Sequence, residues 1–252
     1  MNRYKKAVEQ YGDKAIAMLD DEVIRQKETE LILSFFHSLK PYPRVVADVG
    51  CGDGYTLEKL SEKYPSYPFT FFGFDITKEL LDIAKKRTIK NCVFIERDAT
   101  SFGTDNNFFD IIYTQRCLIN ILSWDEQKQA LEEIHRVLKL HGQYLMIEGF
   151  TDGLENNNKA RMECGLAALE KPSYNNYFDK DRLFKWTKDK FTIQSDYSNY
   201  FSSHYFISRV LHALVTKGEQ EKNTEFVKFF SYLPPIGNYA PLQAYIFTKV
   251  NK

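Results

Sequence analysis

Short apolar runs alternate with amphipathic stretches along the first 150 residues of the chain. Apolar residues recur at helical spacing between Tyr4 and Leu39, with an interruption around residues 19–21. Five apolar runs then predict strands at residues 45–49, 69–74, 93–95, 109–113 and 143–148, and the segments between them include an amphipathic helix at 124–138. This alternation is typical of parallel strands joined by crossover helices.

The pattern changes beyond Gly149. Residues 151–177 are polar, rich in asparagine and predicted to be partly helical. Helices are predicted at 179–188 and 202–215, and strands at 191–197 and 242–250. At 252 residues the chain has the length of one large α/β domain. We therefore expect a single domain.

Composition narrows the range of partners. Lys plus Arg and Asp plus Glu both number 34, so the chain lacks the basic surplus that nucleic acids and anionic membranes attract. The four cysteines are scattered without a metal-ligand spacing, so we expect no metal site. Residues 1–9 are charged and no apolar run is long enough to span a bilayer. We expect a cytoplasmic protein with neither a nucleic-acid partner nor a membrane span.

A glycine-rich turn, GCGDG at 50–54, separates the first predicted strand from the helix that follows it. Such a turn directs backbone N–H groups and a helix N-terminus at a ligand, and an acid about 20 residues later binds a ribose. Asp75, at the end of the second strand, has that position. These features suit any nucleotide-type cofactor, and a tight turn without a ligand also favours glycine.

Two further acids favour a cationic ligand. Asp48 precedes the first glycine by two residues and Asp53 lies within the turn. A diphosphate beside either acid would meet repulsion of roughly 1–4 kcal/mol per charge pair at about 4 Å. S-adenosylmethionine instead carries an ammonium, a sulfonium and an adenosine whose ribose suits Asp75. The alternative is that Asp48 and Asp53 are a helix cap and a solvated turn residue.

Five motifs in unbroken order between residues 39 and 149 resemble those of the class I, Rossmann-like methyltransferases. They are ADVGCGDG at 47–54, GFDI at 73–76, ERDA at 96–99, FDIIY at 109–113 and RVLKLHGQ at 136–143. His141 is a departure, because the family often has proline or glycine there. The chain is thereby identified as an S-adenosylmethionine-dependent methyltransferase.

The resemblance implies a doubly wound, seven-stranded and mostly parallel sheet whose last strand is antiparallel. The expected segments are N-terminal helices at 1–40, a cofactor-binding core at 41–150, cap elements with one core helix and strand at 151–240, and the last strand at 241–252. The cap is expected to be helical and aromatic. By the same resemblance, the cofactor-binding residues are Asp48, Gly50, Gly52, Tyr55 and Gln115 for the methionine moiety, Asp75 and Ile76 for the ribose, and Asp98 and Ala99 for the adenine.

The acceptor is expected beyond the carboxyl ends of the strands, where ligands of open α/β sheets bind. Arg116 and Asn120 follow the fourth strand; Arg116 either pairs with an acidic acceptor or forms a salt bridge. Tyr177 and Tyr205 belong to aromatic stretches that either stack on a ring or pack the cap onto the sheet. Glu148, at the end of the fifth strand, and His204, the only histidine of the aromatic cap, are the candidate general bases.

Function is predicted as O-methylation of a small polar molecule or a glycan. Residues 113–116, YTQR, lack the Asn/Asp-Pro-Pro-aromatic motif of enzymes that methylate amino groups of DNA bases. A small-molecule N-methyltransferase is the main alternative. A nicotinamide-dependent oxidoreductase and a non-catalytic cofactor-binding subunit are weaker ones, and the oligomeric state is left open.

Overall fold

Seven strands form one sheet in the computed structural model, which describes residues 21–40, 42–218 and 222–251. The strands are β1 (Arg44–Val49), β2 (Phe69–Asp75), β3 (Cys92–Glu96), β4 (Phe109–Gln115), β5 (Leu138–Gly149), β6 (Phe191–Gln194) and β7 (Leu242–Lys249). Their order is β3-β2-β1-β4-β5-β7-β6, and β7 runs antiparallel to both of its neighbours. The predicted doubly wound sheet with an antiparallel last strand is confirmed.

Helices cover both faces of this sheet. They are α1 (Glu22–His37), α2 (Tyr55–Lys63), α3 (Lys78–Ala84), α4 (Trp124–Val137), α5 (Thr151–Glu163), α6 (Lys180–Thr187), α7 (Ser202–Phe206), α8 (His212–Val215) and α9 (Glu225–Phe230). A π-helical segment, Ile207–Leu211, joins α7 to α8. Residues 1–20, where part of the N-terminal helical segment was predicted, lie outside the described residues.

Side chains that alternate between the two faces of the buried strands form two core clusters, one on each face of the sheet. Val46 packs with apolar residues of α1 and α2 on one face, whereas its neighbour Ala47 packs with α4 and α6 on the other. Successive side chains of a strand point to opposite faces, so a strand covered on both sides is apolar throughout. The carboxyl ends of β1, β2, β4 and β5 meet at one edge between these layers.

Several element boundaries differ from the prediction. Strand β5 begins at Leu138, directly after α4, and pairs with β4 on both sides of a register shift that contains His141, whose φ of 62° is left-handed. Strand β6 ends at Gln194, before a turn, and not at residue 197. Helix α9 was not predicted; it is short, and four of its six residues are aromatic or β-branched.

Candidate active site

The glycine turn connects β1 to α2 and is held by neighbouring elements. The backbone N–H groups of Gly50 and Cys51 donate to the carbonyl oxygen of Phe74, at 2.7 and 3.0 Å. Gly50 has a φ of 80°, and a Cβ atom there would lie 2.5 Å from Cys117 Sγ. Glycine is required at this position by both the backbone conformation and the close approach of the loop after β4.

Asp75 joins the turn to the end of β2. Its Oδ2 accepts a hydrogen bond from Gly52 N at 2.9 Å, and its Oδ1 accepts one from Thr77 N at 2.7 Å. Burial raises the pKa of this carboxyl, although the backbone hydrogen bonds act in the opposite direction. Each carboxylate oxygen has more than one lone pair, so Asp75 retains acceptor capacity towards a ligand hydroxyl.

A first cavity of about 670 Å³ lies at this edge of the sheet. Six of the predicted cofactor-binding residues line it: Gly50, Asp75, Ile76, Asp98, Ala99 and Gln115. Ile76 is 59% exposed and Leu122, also in the cavity wall, is 63% exposed, so two large apolar side chains offer surface to a flat ring. The cavity therefore combines apolar walls with carboxylates at the ends of β2 and β3.

Three predicted cofactor-binding residues lie outside these walls. Asp48 is buried beneath the turn, and Tyr113 Oη donates to its Oδ2 at 2.8 Å. The Tyr55 ring lies beside Arg25, whose Cζ is 4.0 Å from the ring centroid. Gly52 acts through its N–H group, which donates to Asp75. All three support the turn from outside the cavity.

Asp48 and Asp53, from which the sequence predicts attraction of a cationic ligand, are both neutralised by their surroundings in the structure. Burial and, to a smaller extent, the charges of Asp75 and Asp53 raise the pKa of Asp48 to about 8, so its carboxyl is mostly protonated at neutral pH. Asp53 pairs with Arg87 at 2.7 Å and with Arg25 at 3.3 Å. Neither acid presents an uncompensated negative charge, and the argument for a cationic ligand from these two residues is wrong.

A second cavity of about 310 Å³ adjoins the first. Arg116, Asn120 and Tyr174 line both cavities and so form the boundary between them. The predicted acceptor residues Tyr177 and Tyr205 are in the wall of the second cavity. Burial raises the pKa of both tyrosines, so their hydroxyls are protonated at neutral pH and neither is a ready base.

Glu28 on α1 holds the residues after β4. Its Oε2 accepts from Gln115 Nε2 at 2.8 Å and its Oε1 accepts from Arg116 Nε at 2.7 Å. Glu28 is fully buried, so this is the salt bridge that the sequence left as an alternative for Arg116, formed in the interior and not at the surface. Asn120 Nδ2 donates to the carbonyl oxygens of Arg116 and Cys117.

Glu148 has a structural role and is not placed to act as the predicted general base. Its carboxylate accepts from the backbone N–H groups of Cys117 at 3.1 Å, Leu118 at 3.0 Å and Ile119 at 3.1 Å, at the start of the 3-10 helix Leu118–Asn120. The side chain is fully buried and lines neither cavity. Burial raises its pKa to about 7. Glu148 positions the loop after β4 and does not contact the space where an acceptor would bind.

His204 is also not placed to act as the predicted base. It is fully buried, with Nδ1 2.7 Å from Ser231 Oγ and Nε2 3.1 Å from Asp21 Oδ2. Burial lowers its pKa, and Asp21 opposes that effect. Arg209 Nη2 lies 2.8 Å from the same Asp21 oxygen. His204 belongs to a buried polar cluster that joins the start of α1 to the cap.

Three residues of the site escaped the sequence analysis. Glu28 and Arg209 are polar positions in amphipathic helices, where a charged residue ordinarily faces solvent. Asn157 lies in an asparagine-rich helix and is 1% exposed in the wall of the second cavity. Only the tertiary contacts distinguish these residues from their neighbours.

Neither a membrane-spanning helix nor a metal site is found among the described residues. No helix there is long and apolar enough to cross a membrane. Within the same ranges, no group of three or more His, Cys, Asp or Glu side chains has the arrangement of a metal site.

Comparisons with known proteins agree with the architecture. A family model described as "Methyltransferase domain" matches residues 46–142. The uncharacterized methyltransferase YcgJ of Bacillus subtilis (strain 168) is 28% identical over 109 residues, which is 42% of this chain and 40% of YcgJ. The matching segment thus spans about two fifths of that relative.

Solved structures extend the likeness of fold to most of the chain. The plantazolicin methyltransferase BpumL in complex with SAH, S-adenosylhomocysteine, has a TM-score of 0.60 at 18% identity, covering 98% of this chain and 90% of BpumL. A TehB-like SAM-dependent methyltransferase from Corynebacterium glutamicum has a TM-score of 0.56 at 17% identity, covering 98% and 97%. At these identities the likeness concerns the fold.

Proposed function

We propose that the chain is an S-adenosylmethionine-dependent methyltransferase of class I and that it transfers the methyl group to a small acceptor bound in the second cavity. The methyltransferase domain matched at residues 46–142 and the fold shared with BpumL support this proposal. The observation that carries the proposal is the pair of adjoining cavities with the shared wall Arg116, Asn120 and Tyr174. One cavity has the carboxylates and apolar walls that suit an adenosine. The other has the aromatic walls that suit an acceptor.

The residues of the first cavity fit the cofactor by their chemistry. Asp75 would hold the ribose through the acceptor capacity that remains on its oxygens. Ile76 and Ala99 would contact the adenine region, and Asp98, which is exposed and accepts from Thr100 N and Oγ1, would meet its amino group. Gln115 would border the methionine moiety. When bound, S-adenosylmethionine supplies a methyl group already activated by a sulfonium.

The contribution of the protein is alignment and exclusion of water. Methyl transfer is a displacement in line, so the acceptor atom must be held at the boundary between the two cavities. Glu28 orients Gln115 and Arg116 there, and Glu148 fixes the backbone of the next three residues. Neither Glu148 nor His204 lines a cavity, so neither lies within reach of the proton of a hydroxyl acceptor.

For the acceptor we retain the hydroxyl of a small polar molecule or glycan. The tyrosines of the second cavity combine ring surfaces with hydroxyl groups, as binding of such a molecule requires. A nitrogen acceptor with a free lone pair needs no base and is the alternative that the buried position of Glu148 favours.

Calorimetric titration of the wild-type chain with S-adenosylmethionine, SAH and NAD tests the cofactor proposal. We expect micromolar binding of the first two and no binding of NAD. Asp75→Ala should lower SAH affinity at least 100-fold, since it removes the ribose acceptor and releases Gly52 N. Asp82→Ala, at an exposed position of α3, is the matched control and should bind normally. Binding of NAD alone, or near-normal SAH affinity in Asp75→Ala, would overturn the proposal.

A further inference from the structure

Asn157 on α5 belongs to the wall of the second cavity, and its buried side chain has an unsatisfied hydrogen-bond acceptor. Its Nδ2 donates to the carbonyl oxygen of Tyr239 at 2.9 Å, and its Oδ1 has no partner among the described residues. The opposite orientation of the amide would bring two oxygens together, so the contact with Tyr239 fixes which atom is the acceptor. A buried acceptor without a donor is costly unless a ligand or a water supplies one.

The surroundings of Asn157 define what that ligand would be. Tyr174, Tyr177 and Tyr205 line the cavity together with apolar residues that include Leu154 and Leu242. Three aromatic rings beside apolar residues favour a flat ring, and the polar side chains of the wall, Asn120, Asn157 and Asn175 among them, favour one that carries hydrogen-bonding groups. At about 310 Å³ the cavity is at the lower end of the range for small-molecule sites.

The charges of the cavity wall are balanced. Arg209 is held by Asp21, with Nη2 2.8 Å from Oδ2, and Arg116 is held by Glu28. The remaining charged residues of the wall are one acid and one base, Glu170 and Lys222. An acidic acceptor would therefore compete with carboxylates that already bind the arginines, and an uncharged acceptor would not.

Local backbone geometry supports a binding role for this wall. Arg209 lies in the π-helical segment Ile207–Leu211, and such segments are rare and frequent at functional sites. Asn157 lines only the second cavity, and so lies away from the boundary at which methyl transfer would occur.

We propose that Asn157 determines acceptor specificity: its Oδ1 accepts a hydrogen bond from a hydroxyl or N–H group of an uncharged, ring-containing acceptor that lies among Tyr174, Tyr177 and Tyr205. This proposal rests on the proposed function, because it takes the second cavity as the acceptor site. It narrows the acceptor from polar molecules in general to those with a planar ring and a donor group distant from the methylated atom.

Binding of small aromatic probes to the SAH-saturated protein tests the proposal. SAH fills the first cavity, so the probes report on the second. Phenol and fluorobenzene are nearly equal in size, but only phenol has a donor. We expect phenol to bind about tenfold more tightly than fluorobenzene by ligand-detected NMR titration, and benzoate to bind more weakly than phenol. Equal affinities for phenol and fluorobenzene, or a preference for benzoate, would overturn the proposal.

Two substitutions test whether Asn157 causes the preference for phenol over fluorobenzene. Asn157→Leu should reduce the ratio of phenol to fluorobenzene affinity to near one, whereas Asn156→Leu, a half-buried position of the same helix outside the cavity wall, should leave it unchanged. A ratio that persists in Asn157→Leu contradicts the assignment. If Asn157→Leu does not fold, Asn157→Ala takes its place and must lower the ratio in the same way. Failure of SAH to bind would refute the proposed function, whereas normal SAH binding without a preference for phenol would refute only this inference.

Discussion

The buried carboxyl of Asp48 in β1 is expected to make the stability of the protein depend on pH. Its side chain faces Tyr113, the residue paired with it across β1 and β4, and burial raises its pKa from 3.8 to about 8. Between these pH values the folded protein keeps a proton that the unfolded chain loses. The free energy of unfolding must therefore fall as the pH rises, by up to about 1.4 kcal/mol for each pH unit.

Asp48→Asn removes this titration and preserves the shape of the side chain. The new amide group is buried without an assigned acceptor, which we expect to cost about 1–3 kcal/mol at every pH. By pH 5 the wild type has already lost about 1.7 kcal/mol of the contribution of Asp48, so the stabilities of the two proteins should differ by less than about 1.5 kcal/mol. At pH 8 the wild type has lost most of that contribution, and the variant should be the more stable protein by about 2–4 kcal/mol.

Urea unfolding at pH 5, 6, 7 and 8, followed by circular dichroism, measures both curves. Asp82→Asn, an exposed acid on α3, serves as the control and should run parallel to the wild type. Glu148, with a pKa raised to about 7, contributes a slope of the same sign to all three proteins and cancels in the comparison. A constant difference between Asp48→Asn and the wild type across the four pH values would refute the buried, proton-holding state of Asp48.

Two further predictions concern the residues that were expected to be bases. Glu148→Gln replaces one acceptor oxygen with a donor facing backbone N–H groups, so the free energy of unfolding in urea at pH 5, where the wild-type carboxyl is still mostly protonated, should fall by about 1–3 kcal/mol. An unchanged value would contradict the role of Glu148 in holding the loop. His204→Gln should lower stability by a similar amount, because it disrupts the pairing with Asp21, but SAH affinity measured by calorimetry should stay within about twofold. A tenfold loss of SAH affinity would mean that His204 acts on the cofactor site.

The core of the sheet and the cofactor cavity were predictable because their signals are local. Apolar runs and glycines record strand burial and turn conformation directly in the sequence, and Asp75 is at a fixed distance along the chain from the turn. Roles of buried acids were not predictable in this way. Asp53 pairs with Arg25 and Arg87, which are about 30 residues away along the chain on either side. The sequence around Asp53 does not show whether the acid forms these pairs or attracts a ligand.

The directions of buried polar side chains show the same limit more strongly. Glu148 ends a strand at the ligand-binding edge, so its sequence position suggests catalysis, but its carboxylate turns back onto the chain. Asn157 is one of three consecutive asparagines, and the burial of its side chain follows from contact with Tyr239. Side-chain direction within a helix or at a strand end requires the packed structure.

Helix α1 has a consequence for how the protein matures during synthesis. Three residues on one side of this helix, Asp21, Arg25 and Glu28, contact Arg209, Asp53 and Arg116 respectively. The helix leaves the ribosome before the sheet, whereas Arg209 emerges more than 170 residues after the end of the helix. We expect the glycine turn and its sheet to form early, and the boundary between the cavities to reach its final arrangement only when the last third of the chain has docked against α1.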